Sequence, residues 1–366
     1  MLKKQEKFKI LLLSLPIGSG HTIAAQALAK ELEKYNVETK HLNVFEYIPK
    51  FLTAIFMQAY LLSLRISPQI YSFLYKWGNK DNKSTFSRDL LNAYIARRAY
   101  RDICHWQPDL IIATHATAAG IVAQMKQQRQ LKAPLIGVVT DYTMHNWWYY
   151  PEVAEYYLPD INLDKIMFSE NQRIFKFGIP LRQEFSQPAA NNKKLLLAKW
   201  QIKTNDKLCL LLGGGEGLLP MLEIIKALKA KKNLTFIAVT GNNETLYHQI
   251  QNIKDVKIYN YRFVEKIVEL IELADVVISK AGGLSSTEII SRQVPYIIYK
   301  PLPGQERKNA EYLQEMYGAE IVEQEENLSE KVNCLLCGVR RQAKKELNLT
   351  STRLICSKIL QHFCKN

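Results

Sequence analysis

Lys9 to Tyr35 reads KILLLSLPIGSGHTIAAQALAKELEKY, and this stretch decides the fold. Lys9–Leu15 is an apolar run of strand length, closed by Pro16 and a glycine loop. Thr22–Tyr35 then carries apolar residues at helical spacing. The same unit recurs down the chain. Leu110–Ala113 leads into Thr117–Arg129, and Leu135–Val139 is a further run. Then come Leu208–Leu212 into Leu219–Ala230, Leu234–Thr240 into Glu244–Ile253, Val276–Ser279 into Ser286–Arg292, and Tyr296–Tyr299 into Glu306–Met316. Strands alternating with helices predict an α/β protein with parallel sheets covered on both faces. The polar, proline-containing SQPAANNKK, Ser186 to Lys194, interrupts the series and reads as a linker. Two α/β domains are therefore expected, 1–185 and 186–366. The second ends in a helical stretch from Gly338 with seven basic residues against one acid, Glu346.

With 366 residues, 47% hydrophobic and 23% charged, the chain has the composition of a soluble globular protein, which excludes disorder and fibre. The net charge of +14 favours an anionic partner. The basic residues are dispersed and form no nucleic-acid-binding module, so nucleic acid is not the expected one. No apolar stretch approaches the ~20 residues of a membrane span. The short run at Ile10–Leu15 reads as a first strand, not a signal peptide. Six sparse cysteines, with Cys334-x-x-Cys337 lacking a second pair, fit a reduced cytoplasmic compartment rather than a zinc or disulfide scaffold.

In open α/β sheets ligands bind outside the carboxyl ends of the strands, so the loops after the strands are where chemistry is expected. The first is Ile17-Gly18-Ser19-Gly20-His21. It resembles a dinucleotide fingerprint but departs from it twice. Ile23 stands where Gly or Ala is needed, and the second strand offers His41 and Asn43 instead of a ribose-binding acid. His21 is a titratable side chain at a strand end, a candidate base or simply a helix cap. Gly213-Gly214-Gly215-Glu216-Gly217 and Thr240-Gly241-Asn242-Asn243 follow two later strands. The fourth loop is Ser279-Lys280-Ala281-Gly282-Gly283-Leu284-Ser285-Ser286-Thr287-Glu288, with Lys300-Pro301-Leu302-Pro303-Gly304-Gln305-Glu306 after the next strand. Gly282 and Gly283 before a helix start would leave backbone N–H groups for a phosphate, and Ser285 and Ser286 would add hydroxyls. Glu288 reads either as a ribose contact or as the glutamate of a Ser-x-x-Glu capping box.

Taken together, the Gly-Ser-Gly-His loop, Thr140-Asp141-Tyr142, Lys-Ala-Gly-Gly-Leu-x-x-x-Glu and Pro-x-Pro-Gly-Gln-Glu fall in the order and spacing of one family. The chain resembles the nucleotide-sugar-dependent glycosyltransferases that make glycosyl-diacylglycerols. These are the bacterial diacylglycerol glucosyltransferases and the plastid monogalactosyl-diacylglycerol synthases, relatives of the peptidoglycan GlcNAc transferase. The likeness runs from about residue 9 to about 345. It implies a GT-B fold, two Rossmann-like domains facing across a cleft. It also implies inverting transfer of a hexose from a UDP-sugar to diacylglycerol.

By position, Gly18, Gly20 and His21 match the family's N-terminal loop, with His21 the base and Asp141 orienting it or sharing its role. Gly213, Gly214, Gly215 and Asn242 match donor loops. Gly283, Ser285 and Ser286 match the diphosphate site, Glu288 the ribose contact, and Gln305 and Glu306 the sugar hydroxyl contacts. Tyr261-Arg262-Phe263-Val264 stands where the family has Gly-Phe-Val, which places Arg262 and Phe263 against the uracil. No Asp-x-Asp occurs, so neither a metal held by paired aspartates nor another cofactor is indicated. A GlcNAc transferase acting on a lipid-linked peptidoglycan precursor would use the same donor loops. A non-catalytic sugar-nucleotide-binding membrane protein would not need His21 and Asp141.

Phe51 to Trp77 has seven aromatics, Arg65, Lys76 and no acid, with Phe51, Ile55, Ala59, Leu62 and Ile66 at helical spacing. Residues 50–101 hold nine Lys/Arg against Asp81 and Asp89. A greasy face with basic flanks suits peripheral attachment to anionic lipids at the cytoplasmic face of the membrane. The alternative is an ordinary buried helix pair. Trp147-Trp148-Tyr149-Tyr150 is a second aromatic cluster, interfacial or core.

Overall fold

The computed structural model describes residues 7–16, 18–53, 55, 58, 83–163, 168–189 and 192–364. Two compact units divide it. The first is Met1–Arg182 with Thr350–Asn366, and the second is Gln183–Leu349.

The first unit carries β1 (Phe8–Ser14), α1 (Gly20–Leu32), β2 (Val37–Asn43), α2 (Lys83–Trp106), β3 (Leu110–Ala113), α3 (Ala116–Gln127), β4 (Leu135–Val138), β5 (Val153–Leu158) and β6 (Arg173–Lys176). The strands form one sheet in the order β2-β1-β3-β4-β5-β6, and every pairing is parallel. β3 and β4 are buried from end to end, as the unbroken apolar runs require of strands covered on both faces. The chain winds outward in opposite directions from the β1–β3 pair. The loops after β1 and β3 therefore part at that point, opening the crevice where doubly wound sheets bind ligands.

The second unit holds α4 (Lys193–Lys199), β7 (Lys207–Leu212), α5 (Met221–Leu228), β8 (Leu234–Val239), α6 (Glu244–Gln251), β9 (Ile258–Tyr261), α7 (Ile267–Leu273), β10 (Val276–Ser279), α8 (Gly283–Ser291), β11 (Tyr296–Tyr299), α9 (Gln305–Tyr317), β12 (Glu320–Val322) and α10 (Leu328–Leu336). Its sheet order is β12-β11-β10-β7-β8-β9, again all parallel. Here the direction of winding reverses between β7 and β10, and the glycine loops that follow those two strands flank the switch.

One expectation needs correcting. The domain boundary lies close to the anticipated 185/186, but the last helix, α11 (Ser351–Phe363), belongs to the first unit and not to the second. Ile355, Cys356 and Ile359 are fully buried in the same apolar cluster as Ile10, Leu12, Leu28 and Leu32. At the start of α11, Ser351 Oγ donates to Ile179 O at 2.7 Å and Thr352 Oγ1 to Leu181 O at 2.6 Å. The helix expected from Gly338 starts only at Ser351: Arg340, Arg341, Lys344 and Lys345 lie in the non-helical segment before it, and α11 itself carries Arg353 and Lys358 on its solvated side while its inner face follows the 3.6-residue period of a core helix.

Most of Phe51–Trp77 lies outside the described residues. Phe51, Leu52 and Ile55 are described, and all three are exposed. α2 is better defined. Asn92, Ile95, Ala96, Ala99 and Ile103 form its buried face, whereas Leu90, Leu91 and Tyr94 are exposed beside Arg97, Arg98 and Arg101. The aromatic quartet divides. Trp148 and Tyr150 are buried in the core, while Trp147 and Tyr149 are only partly covered.

Candidate active site

In the first unit the site grows from the switch point. α1 begins at Gly20, so His21 sits in its first turn beside Thr114, the residue that follows β3. His21 Nδ1 lies 3.0 Å from the carbonyl oxygen of Thr114. A carbonyl can only accept, so Nδ1 carries the proton and Nε2 bears the lone pair. The Thr140 hydroxyl lies 2.7 Å from the same nitrogen and shares that proton. Thr114 also donates from Oγ1 to the His21 carbonyl at 3.0 Å, so one residue grips both the ring and the backbone of His21.

The His115 ring packs edge-on against His21, with centroids 4.7 Å apart. Its Nδ1 accepts from the Thr117 N–H and caps α3. Burial lowers the affinity of both rings for a second proton, His115 more strongly because His21 and His145 lie beside it. Asp141 opposes this at His21 through its charge. The Thr114 carbonyl and the Thr140 hydroxyl hold Nδ1 of the candidate base. Asp141 stands at the site as an electrostatic neighbour. Gly18, at φ +78°, takes the left-handed turn that brings the chain from β1 into α1.

Behind this loop, the Ser14 hydroxyl at the end of β1 bonds to His41 Nε2 at 2.8 Å and to the Thr22 hydroxyl at 3.2 Å. His41, which the sequence offers where a dinucleotide site would need an acid, is part of the wall of the loop. Nothing at that position is arranged to take a ribose.

In the second unit, the loops after β7 and β8 are stitched together. Asn242 N–H donates to Gly215 O at 2.8 Å, and Asn243 Nδ2 to Gly217 O at 3.2 Å. A Cβ on Gly241 would fall 2.4 Å from Gly215 O and 2.5 Å from Gly214 O, so only glycine permits this approach. Gly213 N–H is bound to Val239 O. Gly213–Gly215 and Asn242 therefore form one joined rim.

At the end of β10, Gly282 is the N-cap of α8, and no side chain caps it. This overturns two readings of the sequence. The helix begins at Gly283, not near Ser286, so Glu288 sits in its second turn and no Ser-x-x-Glu capping box forms. Ser286 is correspondingly turned into the core, fully buried, its hydroxyl donating to Tyr296 OH at 2.9 Å. Its N–H is spent on Gly282 O, so Ser286 offers an anion neither group. The first-turn amides of Gly283, Leu284 and Ser285 remain, and they suffice for an anion, since a helix N-terminus supplies both donors and a positive dipole end. Glu288 is buried, with 4% of its surface exposed.

Gln305 and Glu306 open α9, after Gly304 at φ +103°, a conformation only glycine adopts readily. Glu306 Oε1 accepts from the Ala281 N–H at 3.2 Å, so it reaches the α8 loop. Arg262 has partners within the unit. Its guanidinium bonds to Glu244 at 2.7 Å and lies 3.9 Å over the Tyr247 ring. Both side chains of the Arg262–Glu244 pair are half exposed, and the Phe263 ring next to Arg262 is exposed.

Sequence reasoning missed Thr114, Thr140 and Asn309. Thr140 was within reach, since it precedes Asp141 in a quoted motif. A backbone carbonyl acting as the orienting group leaves no side-chain signal.

Comparison with known proteins agrees with this geometry. Residues 21–181 match the monogalactosyldiacylglycerol (MGDG) synthase family, and residues 208–355 match the glycosyltransferase family 28 C-terminal domain. A processive diacylglycerol beta-glucosyltransferase of Bacillus licheniformis is 27% identical over 358 residues, covering 94% of this chain and 91% of the relative. One of Bacillus cytotoxicus is 28% identical over 341 residues, covering 90% and 85%. Among solved structures, Acinetobacter baumannii MurG superimposes with a TM-score of 0.60 at 16% identity, over 97% of this chain and 99% of that one. The spinosyn rhamnosyltransferase SpnG with thymidine diphosphate gives 0.63 at 11%, over 97% and 96%. At that identity these two speak for the fold alone. A first unit that matches the MGDG synthase model, joined to a glycine-rich unit that matches the family 28 C-terminal domain, makes this chain a glycosyltransferase of GT-B fold, similar in both units to the enzymes that make glycosyl-diacylglycerols.

Proposed function

We propose that the protein transfers a hexose from a UDP-sugar to the hydroxyl of diacylglycerol with inversion, forming a β-glycosyl-diacylglycerol. The observation that carries this reading is His21. Its Nδ1–H is fixed by the Thr114 carbonyl, and its Nε2 lone pair is left to take a proton. In the reaction, Nε2 accepts the acceptor hydroxyl proton as that oxygen attacks the anomeric carbon, and the bond to the diphosphate breaks on the opposite face. The charge released onto the diphosphate is met by the first-turn amides of α8. That role of the amides needs no metal, so activity should persist in excess EDTA. The names of the relatives support glucose as the sugar and a β linkage. Vesicles of diacylglycerol should yield a labelled glycolipid when given each radiolabelled UDP-hexose in turn. Product only from UDP-GlcNAc with a lipid-linked peptidoglycan precursor would replace this reading, and bound UDP without turnover would make the protein a binding protein.

Glu288 is proposed to hold the ribose hydroxyls. Glu288→Ala should weaken UDP binding by roughly 1.5–3 kcal/mol, the scale of hydrogen bonds to a charged group. Glu288 is buried and already has a partner in the unliganded fold, so a lower melting temperature should accompany the loss of affinity. Unchanged UDP affinity by calorimetry would remove Glu288 from the site.

No described helix is long and apolar enough to cross a membrane. Contact with lipid is therefore proposed to be peripheral, at the cytoplasmic face, through the exposed side of α2. Leu90, Leu91 and Tyr94 supply insertion there, while Arg97, Arg98 and Arg101 supply attraction to anionic headgroups. Each basic group near such a surface contributes about 1 kcal/mol before salt screening. Replacing Leu90, Leu91 and Tyr94 with Ser, and Arg97 and Arg98 with Gln, should release the protein from anionic vesicles in co-sedimentation and leave UDP binding intact. Full sedimentation of that variant at moderate salt would move the contact elsewhere, Trp147 first.

A further inference from the structure

The loop that presents the α8 amides has almost nothing of its own to hold it. Ala281, Gly282 and Gly283 carry one methyl group among them, and a Cβ on Gly282 would touch no atom within 4 Å. Such a backbone has many conformations to lose before three N–H groups can converge on one anion. Yet three successive polar groups just ahead of the helix are each bound by a side chain from a neighbouring element. Tyr296 OH, on β11, donates to Lys280 O at 2.8 Å. Glu306 Oε1 accepts from Ala281 N–H at 3.2 Å, and Asn309 Nδ2 donates to Ala281 O at 3.1 Å. Glu306 and Asn309 both stand at the start of α9, and Asn309 is 1% exposed.

We infer that Asn309 and Glu306 are positioning residues for the diphosphate. By clamping the acceptor and the donor of the same residue, Ala281, they fix the entry into α8, so that the amides of Gly283, Leu284 and Ser285 are aimed before the donor arrives. Gly282 O then accepts the Ser286 N–H and closes the first turn on this anchored peptide. Asn309 acts on the diphosphate site through Ala281 and touches no reacting atom. Glu306 thereby has a task beyond the sugar-hydroxyl contact that the family resemblance implies.

The inference rests on reading α8 as the diphosphate site, and the test separates the two. UDP and uridine binding are compared by calorimetry and by competition, in the full-length protein and in Asn309→Ala, Glu306→Ala and Glu306→Gln. Sugar contacts play no part, since neither ligand carries the hexose. Asn309→Ala and Glu306→Ala should each weaken UDP by roughly 10–100-fold, the range seen when a group that orients a binding residue is removed. Uridine affinity should stay within about twofold. Glu306→Gln keeps an oxygen acceptor for Ala281 N–H and should restore most of the UDP affinity. Equal losses for UDP and uridine, or no loss of UDP affinity, would overturn the positioning role. Should Asn309→Ala fail to fold, the Glu306 pair decides by the same ratio. If the unaltered protein bound UDP no better than uridine, the α8 diphosphate site would itself be wrong, and the clamp with it.

Discussion

His21→Ala is expected to lower kcat by about 10²–10⁴-fold, the contribution of a positioned general base, while UDP affinity stays nearly constant. The two effects separate because the imidazole lies in the unit proposed to receive the acceptor, and the nucleotide is proposed to bind in the other. The pH profile of the unaltered enzyme should carry the same signature. Burial lowers the His21 pKa below 6.5, and the Asp141 charge and the Thr114 hydrogen bond only partly restore it. The base is thus already neutral at pH 7, and kcat/KM should be flat there and fall only when acid protonates Nε2, below the ordinary histidine range. Linkage has the matching sign. His21 and His115 both bind a proton less readily folded than unfolded, so stability should decline as pH drops below about 6.5. Thr140→Val removes one of the two oxygens on Nδ1 and should lower kcat less than loss of the ring does. A His21→Ala variant retaining half the rate would transfer the role of base to Asp141.

How far this site was legible follows from what kind of group carries each role. The two parallel sheets were readable because β1, β3, β4, β7, β8, β10 and β11 are buried on both faces and so are written as continuous apolar runs. β9, Ile258–Tyr261, and β6, Arg173–Lys176, are edge strands with partly exposed residues, and no such run marks them. The glycine loops were readable because close backbone approach, as at Gly241, tolerates no side chain. The start of α8 was misjudged because Ser285-Ser286-Thr287 resembles a cap. In the fold, a glycine takes the cap position and the serine next in line serves Tyr296 in the core. Arg262 was assigned to the uracil by alignment of motifs. Glu244 and Tyr247 lie too far away in sequence for that spacing to reveal that they hold the guanidinium. A clamp such as Asn309 on Ala281 O joins helix α9 to the loop before α8 through one backbone atom, and pattern reading along a chain has no access to it.

Removal of α11 should destabilise the first unit far more than the second, although the helix follows the second in sequence. Ile355 and Ile359 are completely buried against β1, α1 and β3, and at about 1.5–3 kcal/mol for each such side chain their loss alone removes about 3–6 kcal/mol. Polar anchors go with them. His362 Nδ1 lies 2.6 Å from Glu155 Oε1, on a carboxylate that is itself fully buried and also held by Arg173 at 2.5 Å and by the Tyr157 hydroxyl. Taking away one partner leaves the charge of Glu155 less well satisfied and open to water from the vacated side. Domains are stable by about 5–15 kcal/mol in total, so the loss approaches the whole margin. A chain ending at Leu349 should show fast hydrogen exchange through β1, α1 and β3, with strands β7, β8 and β10 still protected and UDP still bound. If exchange instead rose in β7–β12 while the first unit stayed protected, α11 would be a support of the donor unit, as its place in the sequence suggests. The expected outcome has a functional edge as well. α1 is pinned from one side by α11, through Cys356 Sγ on Leu28 O at 3.7 Å, and from the other by the Thr114 grip on His21. Loosening the far end of α1 should misplace the base at its near end, so turnover should vanish at temperatures where the truncated chain still binds UDP.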